Sequence, residues 1–121
     1  MAIENAQLTD TQLDILTVPA GKRYAVTNVM VCNTYSPNDP TPEQHTASFD
    51  MHFIKDQQAL SNQVTCVVRE LSLPAGETFT FDSEKVILEA GDKLSFVAQP
   101  ENVTFGGGLT DLTAMVSYLE V

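Results

Sequence analysis

A short turn segment occurs three times in this 121-residue chain and constrains its fold more than any other feature. The copies are LTVPAGK at 16–22, LSLPAGE at 71–77 and ILEAGDK at 87–93. In each, an apolar strand end is followed by Pro-Ala-Gly or Glu-Ala-Gly and then by a charged residue that opens the next strand. Proline at the second turn position would fix φ, and glycine at the third would supply the positive φ of a type II turn. The unequal spacing argues against a solenoid, so the repeat predicts one corner used several times in a sandwich.

Between the turns, β-branched and aromatic residues dominate and no window shows a sustained helical period, which indicates strands. The predicted strands are 13–18, 22–33, 47–55, 63–72, 77–82, 85–89, 93–99, 102–105 and 112–120. In the third, Phe49, Met51 and Phe53 share one face while Asp50 and His52 share the other. Such alternation is typical of a strand with one side in water.

The segment 22–33 alternates less cleanly than the other predicted strands. Counting by twos assigns Tyr24, Val26, Met30 and Cys32 to one face and Ala25, Val29 and Val31 to the other. Apolar side chains on both faces predict a strand covered on two sides, by the core and by something else.

Short strands separated by regular turn signals predict an all-β chain. We expect an antiparallel β-sandwich of jelly-roll type with about eight or nine strands. The length predicts a single domain over 1–121, with an N-terminal arm at 1–11 and a long proline-rich loop at 34–46.

The charge balance excludes several partners. With 16 acidic and 6 basic side chains the formal net charge is -10, so the chain lacks the cation clusters that hold nucleic acid. Most acids fall in or beside turns, which predicts a solvated rim around apolar strands. No signal-peptide pattern and no apolar run of about 20 residues is present, which predicts a chain made in the cytoplasm with no membrane partner.

Few residues in the sequence form a pattern that could support catalysis or metal binding. Ser48, Asp50 and His52 combine a nucleophile, an acid and a base, but at alternate strand positions their side chains run parallel, about 6 to 7 Å apart. A polar outer strand face is therefore the preferred interpretation over a catalytic triad. His45 with Asp50 and His52 could be considered as metal ligands, but no motif of metal-ligand spacing supports them.

Two further groups of residues have equally plain interpretations. Cys32 and Cys66 lie in apolar runs, which favours reduced buried thiols, and a bridge would require their strands to pack together. Four acids lie around one predicted hairpin, where charges that keep strand edges from pairing are favoured over a cation site: Asp82, Glu84, Glu89 and Asp92. We predict no catalytic residue, no metal and no cofactor.

The turn repeat and its surroundings resemble a known group of proteins. The segments that carry the resemblance are Thr17–Lys22 with Tyr24, Val31–Asn33, Leu73–Glu77, Val86–Leu94 and the closing Leu119–Val121. They are similar to small virion structural proteins of tailed bacteriophages, common among phages of cyanobacteria and other marine bacteria. The resemblance implies a β-sandwich that is an accessory piece of the capsid exterior or tail. It further implies a symmetric homo-oligomer, such as a trimer, that contacts major capsid or tail proteins.

The expected function is thus that of a non-enzymatic virion component, foremost a head decoration or cement-like protein. The residues expected to make contacts are Tyr24, Val29 and Val31 of the two-sided strand and Tyr35, Pro37, Pro40 and Pro42 of the long loop. Two alternatives remain open at this level. One is a carbohydrate-binding module for host adhesion with exposed tyrosines, and the other is a jelly-roll hydrolase with a metal-bound cluster of His and acids.

Overall fold

The computed structural model describes residues 2–82, 86–99 and 109–121, and the predicted strand 102–105 lies outside them. The described strands, together with one short 3-10 helix at Pro42–His45, are β1 Ala2–Thr9, β2 Leu13–Thr17, β3 Tyr24–Asn33, β4 Ala47–Ile54, β5 Cys66–Leu73, β6 Thr78–Phe81, β7 Val86–Leu88, β8 Lys93–Gln99 and β9 Leu109–Glu120. The predicted strands began at residue 13, so β1 is an additional strand within the region expected to be an arm.

The strands form two antiparallel sheets packed face to face. One sheet has the order β1-β9-β3, with β6 and β7 both paired to the outer side of β3, and the other has the order β2-β8-β4-β5. Along the chain the strands alternate between the sheets, except that β4 and β5 are neighbours in one sheet and β6 and β7 share one edge of the other. This connectivity is that of a jelly roll and confirms the predicted all-β sandwich.

The three glycine turns all carry the chain from one sheet to the other. Each is closed by a backbone hydrogen bond, from Lys22 N–H to Pro19 O at 3.2 Å, from Glu77 N–H to Pro74 O at 3.1 Å and from Asp92 N–H to Glu89 O at 3.0 Å. The glycines have φ of 78°, 80° and 86°, as the third position of a type II turn requires. One detail of the prediction was wrong, because proline occupies the first turn position rather than the second.

The core lies between the inward faces of the two sheets. Aromatic rings contact each other across it, with the Phe49 and Phe79 centroids 5.5 Å apart and those of Phe53 and Phe81 6.3 Å apart. The fully buried apolar side chains around them are Leu8, Val26, Val29, Val31, Phe49, Met51, Leu94, Phe96, Leu112, Ala114 and Val116. Burial of these side chains supplies the main stabilising free energy of the fold.

A bulge in β3 changes which of its side chains face the core. Val26 is opposite Tyr118 and Asn28 is opposite Ser117, so Thr27 is an extra residue between them. The face assignment made by counting twos was therefore wrong beyond Val26, since a bulge reverses the alternation. The inward set is Tyr24, Val26, Val29, Val31 and Asn33, and the outward set is Ala25, Thr27, Asn28, Met30 and Cys32.

The outward side of β4 also differs from its prediction. Asp50 and His52 were expected on a wet face, but they are only 3% and 0% exposed. The cause lies in β5, where the register shift between Phe49 and Met51 brings Arg69 and Glu70 opposite Asp50. Segment 61–65 contributes Thr65, which contacts His52. These neighbours cover polar side chains that the strand pattern alone would leave in water.

Candidate interaction surface

The outward side of the five-stranded sheet carries no charged side chain at its described, paired positions. We call this surface the uncharged face. It consists of Ile3, Asn5 and Gln7 of β1, Thr113, Met115, Ser117 and Leu119 of β9, Ala25, Thr27, Asn28, Met30 and Cys32 of β3, Thr78 and Thr80 of β6, and Ile87 of β7.

Apolar side chains stand exposed on the uncharged face. Ile3 is 58% exposed, and Leu119 and Ile87 are each 38% exposed. Met30 and Met115 are opposite each other and half-buried. The face thus offers apolar area and adaptable methionine side chains, which suit contact with another protein.

The rest of the described surface is different in charge. The outward side of the four-stranded sheet holds Asp14 with Lys93, whose atoms are 3.9 Å apart, and Arg69 with Asp50 at 2.7 Å. Two acids of β9 border the uncharged face. Asp111 lies two residues before Thr113, outside the positions paired with β3, and is engaged with His45. Glu120 follows Leu119 and lies 3.2 Å from Lys22 Nζ. In a chain of net charge -10, the described outward positions of the two sheets therefore differ in charge.

Three of the predicted contact residues belong to the core. Val29 and Val31 are 0% exposed, and Tyr24 is 9% exposed with its ring centroid 4.6 Å from that of Tyr118. The structure therefore places these side chains inside the sandwich. The outward positions of the same strand, such as Met30, are the ones available to a partner.

The predicted loop 34–46 has an ordered base and an exposed tip. The rings of Tyr35 and His45 stack with centroids 3.5 Å apart and an interplanar angle of 3°. The Tyr35 hydroxyl donates a hydrogen bond to the carbonyl of Pro40, and His45 Nδ1 lies 2.8 Å from Asp111 Oδ2. These contacts tie the loop to itself and to β9.

The prolines of the loop occupy different environments. Pro37 and Pro40 are exposed, whereas Pro42 is half-buried at the start of the 3-10 helix. A Cβ atom on Gly76 would be 2.8 Å from Pro37 Cδ, so glycine allows the loop to rest on the β5–β6 turn. Between residues 34 and 46 the loop contains one short 3-10 helix and no strand.

Asn33 holds the base of the loop and was not among the residues that the sequence pattern indicated. Its buried amide donates to the carbonyls of His45 at 2.6 Å and Leu73 at 3.0 Å, and its Oδ1 accepts from Tyr35 N–H at 3.1 Å. One side chain therefore links β3, the loop and β5. The sequence signal that could have identified it is an asparagine at the end of an apolar strand, just before a proline-rich loop.

Asp50 joins two donors that the irregular part of β5 presents. Its Oδ2 accepts from Arg69 Nη1 at 2.7 Å and its Oδ1 accepts from Glu70 N–H at 2.6 Å, where Glu70 has a φ of 47°. Gln99 Nε2 lies 3.4 Å from Oδ2. A buried carboxylate with these partners stabilises the distorted edge strand.

His52 is positioned by Thr65 on the same side of the sheet. Thr65 Oγ1 lies 2.9 Å from the carbonyl oxygen of Ser61, accepts from Ser61 N–H at 3.0 Å and is hydrogen-bonded to His52 Nδ1 at 2.8 Å. The other ring nitrogen, Nε2, is buried and has no hydrogen-bond partner among the described residues. Burial lowers the pKa of His52, Arg69 lowers it as well, and Asp50 partly opposes them.

The other chemical candidates of the sequence are separate in space. In the described residues, no group of three or more His, Cys, Asp or Glu side chains is placed to hold a metal ion. Of the four hairpin acids, Glu84 lies outside the described residues, Glu89 pairs with Arg23 at 3.3 Å, and Asp92 accepts backbone hydrogen bonds.

The two cysteines are free and half-buried in different sheets, Cys32 in β3 and Cys66 in β5. Burial, reinforced by Asp50, raises the pKa of the Cys66 thiol. Its Sγ lies 3.1 Å from the carbonyl of Val68, to which it donates.

Comparison with known proteins gives no relative for this chain. No protein-family model matches the sequence, and no match was found among curated proteins or among solved structures. Within the described ranges, no helix is long and apolar enough to cross a membrane. The surface described above is therefore interpreted on physical grounds.

Proposed function

We propose that this chain is a non-enzymatic structural subunit of a tailed-phage virion, a head decoration or cement-like protein that binds the particle exterior through the uncharged face. The class of protein comes from the sequence resemblance. The surface comes from one observation: at its described, paired outward positions this sheet carries no charged side chain and exposes Ile3, Ile87 and Leu119.

Charge distribution supports this assignment physically. Burial of a face without charged groups avoids the cost of desolvating ions. Transfer of its apolar side chains out of water lowers the free energy of binding. The remaining surface keeps the acidic excess of the chain in solvent. An acidic subunit is also better placed outside a shell than against packaged DNA, since like charges repel.

Co-sedimentation with particles of the encoding phage that lack the subunit tests the proposal. Ile87→Glu places a charge on the uncharged face at an exposed site, and we expect it to weaken binding at least about tenfold, which is about 1.4 kcal/mol. Val67→Glu is the matched control, because Val67 is 51% exposed but belongs to β5 of the other sheet. Equal binding by both variants, or no binding by the parent protein, would contradict the proposal.

The carbohydrate-binding alternative has weaker support. It requires a tyrosine platform open to a sugar, and the chain has three tyrosines. Tyr24 and Tyr118 pack on each other beside an open cleft of about 310 Å³, and Tyr35 stacks on His45. The hydrolase alternative requires a metal-binding cluster, and no described residues favour it.

A further inference from the structure

The strand β1 has an unusual position for so regular a segment. It pairs with β9 on one side, from Ala2 opposite Tyr118 to Gln7 opposite Thr113, and the register shifts only beyond Gln7. On its other side no described strand is bonded to it. Its sequence, AIENAQLT, contains no proline and no basic residue, two of the devices that keep an edge strand from pairing, and its single charge is Glu4.

The other edges of the two sheets are all interrupted. β2 has five residues and a register shift between Asp14 and Leu16. β5 has two register shifts and a residue, Glu70, with a φ of 47°. The edge opposite β1 consists of two short strands, β6 of four residues and β7 of three. Among the described edges, β1 alone is both long and regular.

We propose that a second copy of this chain adds to β1 in antiparallel pairing, so that two five-stranded sheets become one continuous sheet across a two-fold axis. An antiparallel pair of identical strands requires that axis to be perpendicular to the sheet. The uncharged faces of both copies then lie on the same side. The pairing rests on the proposed function, since it provides the symmetric oligomer while leaving that face open to the particle.

Side chains on β1 favour one register. Glu4 is the only charge on the strand, and it lies on the side opposite the uncharged face, where its Oε1 is 3.3 Å from the Tyr118 hydroxyl. Placing Asn5 on the axis sets each Glu4 opposite Ala6 of the other copy, which avoids two carboxylates directly opposite each other. The same register sets Ile3 opposite Gln7, so both ends of the regular segment are paired.

The mass of the protein in solution, measured without particles over a range of concentrations, tests the pairing. We expect a dimer, and we expect Asn5→Lys to raise its dissociation constant at least tenfold because two lysines would meet at the axis. Val67→Lys, an exposed position on β5, should leave the dimer unchanged. Hydrogen exchange should show amides of residues 2–7 becoming protected as concentration rises, with no such change in β5.

Several outcomes would overturn the pairing: a monomer at every concentration, a trimer, or a dimer that tolerates Asn5→Lys. These results are independent of the particle assay. Ile87→Glu should remain dimeric, because β7 is at the opposite edge of the sheet. A protein that dimerises through β1 but fails to bind particles would refute the proposed function alone, and a monomer that binds particles would refute the pairing alone.

Discussion

Replacing Asn33 by aspartate exchanges a side-chain NH2 group for an oxygen at a fully buried site, and the contacts of Asn33 determine the effect. The amide nitrogen of Asn33 donates to the carbonyls of His45 and Leu73. In Asn33→Asp an oxygen takes its place, so two buried carbonyl groups lose their donor and face a carboxylate. The acceptor for Tyr35 N–H is retained.

The expected loss of stability follows from those two carbonyls. Removal of the Asn33 donor from a buried acceptor costs about 1–3 kcal/mol, which gives about 2–6 kcal/mol for the two carbonyls at pH 7. A chain of this length has a free energy of unfolding of about 6–18 kcal/mol, at roughly 0.05–0.15 kcal/mol per residue. Urea denaturation should therefore show a large shift of the midpoint, or an unfolded variant at neutral pH.

The same variant should become pH-dependent. When the carboxyl group introduced by Asn33→Asp is protonated, its O–H can donate a hydrogen bond to one of the two carbonyls. The folded state therefore binds that proton more tightly than the unfolded state. Stability of the variant relative to the parent should then increase as the pH falls from 7 to 4. Asn38→Asp, at an exposed position of the same loop, should change stability by less than about 0.5 kcal/mol. If Asn33→Asp behaved like Asn38→Asp, the assignment of Asn33 as the anchor of the loop would be refuted.

Two other predictions concern stability. Gly91→Ala should destabilise the fold more than Gly21→Ala. Both glycines have positive φ, where an alanine costs about 1–2 kcal/mol, but the added Cβ at position 91 would overlap the Asp56 carboxylate, while position 21 is open. Equal melting temperatures of the two variants would contradict this. His52 has a pKa below its ordinary value of about 6.5, so the unfolded state binds the proton more tightly and stability should fall as the pH drops below about 6.5, by at most about 1.4 kcal/mol per pH unit. His52→Gln should flatten that part of the curve of unfolding free energy against pH, and an unchanged slope would refute the contribution of His52.

Sequence periodicity predicted the sandwich well because its two main signals are local. The glycine turns depend on a few neighbouring residues, and the apolar alternation along β8 and β9 is unbroken at the positions that defined the pattern. Strand β1 was missed because AIENAQLT has a weak strand pattern, and its conformation depends on pairing with β9, which is distant in sequence.

The candidate surface was harder to predict for a related reason. Counting by twos assumes an unbroken ladder, and the single extra residue Thr27 moved Val29 and Val31 into the core and Met30 outward. The burial of Asp50 likewise depends on irregularities in β5, a different strand. Such bulges arise from pairing between strands, so the sequence of one strand does not reveal them.

The position of β9 between β1 and β3 has a consequence for the ribosome-bound chain. All four strands of the β2-β8-β4-β5 sheet have been synthesised once residue 99 is added, but the other sheet lacks its central member until residues 109–120 follow. During that interval Phe49, Met51 and Phe96 have only part of their covering layer. Until β9 pairs with β1 and β3, the half-built sandwich exposes its apolar interior to chaperones and to neighbouring chains.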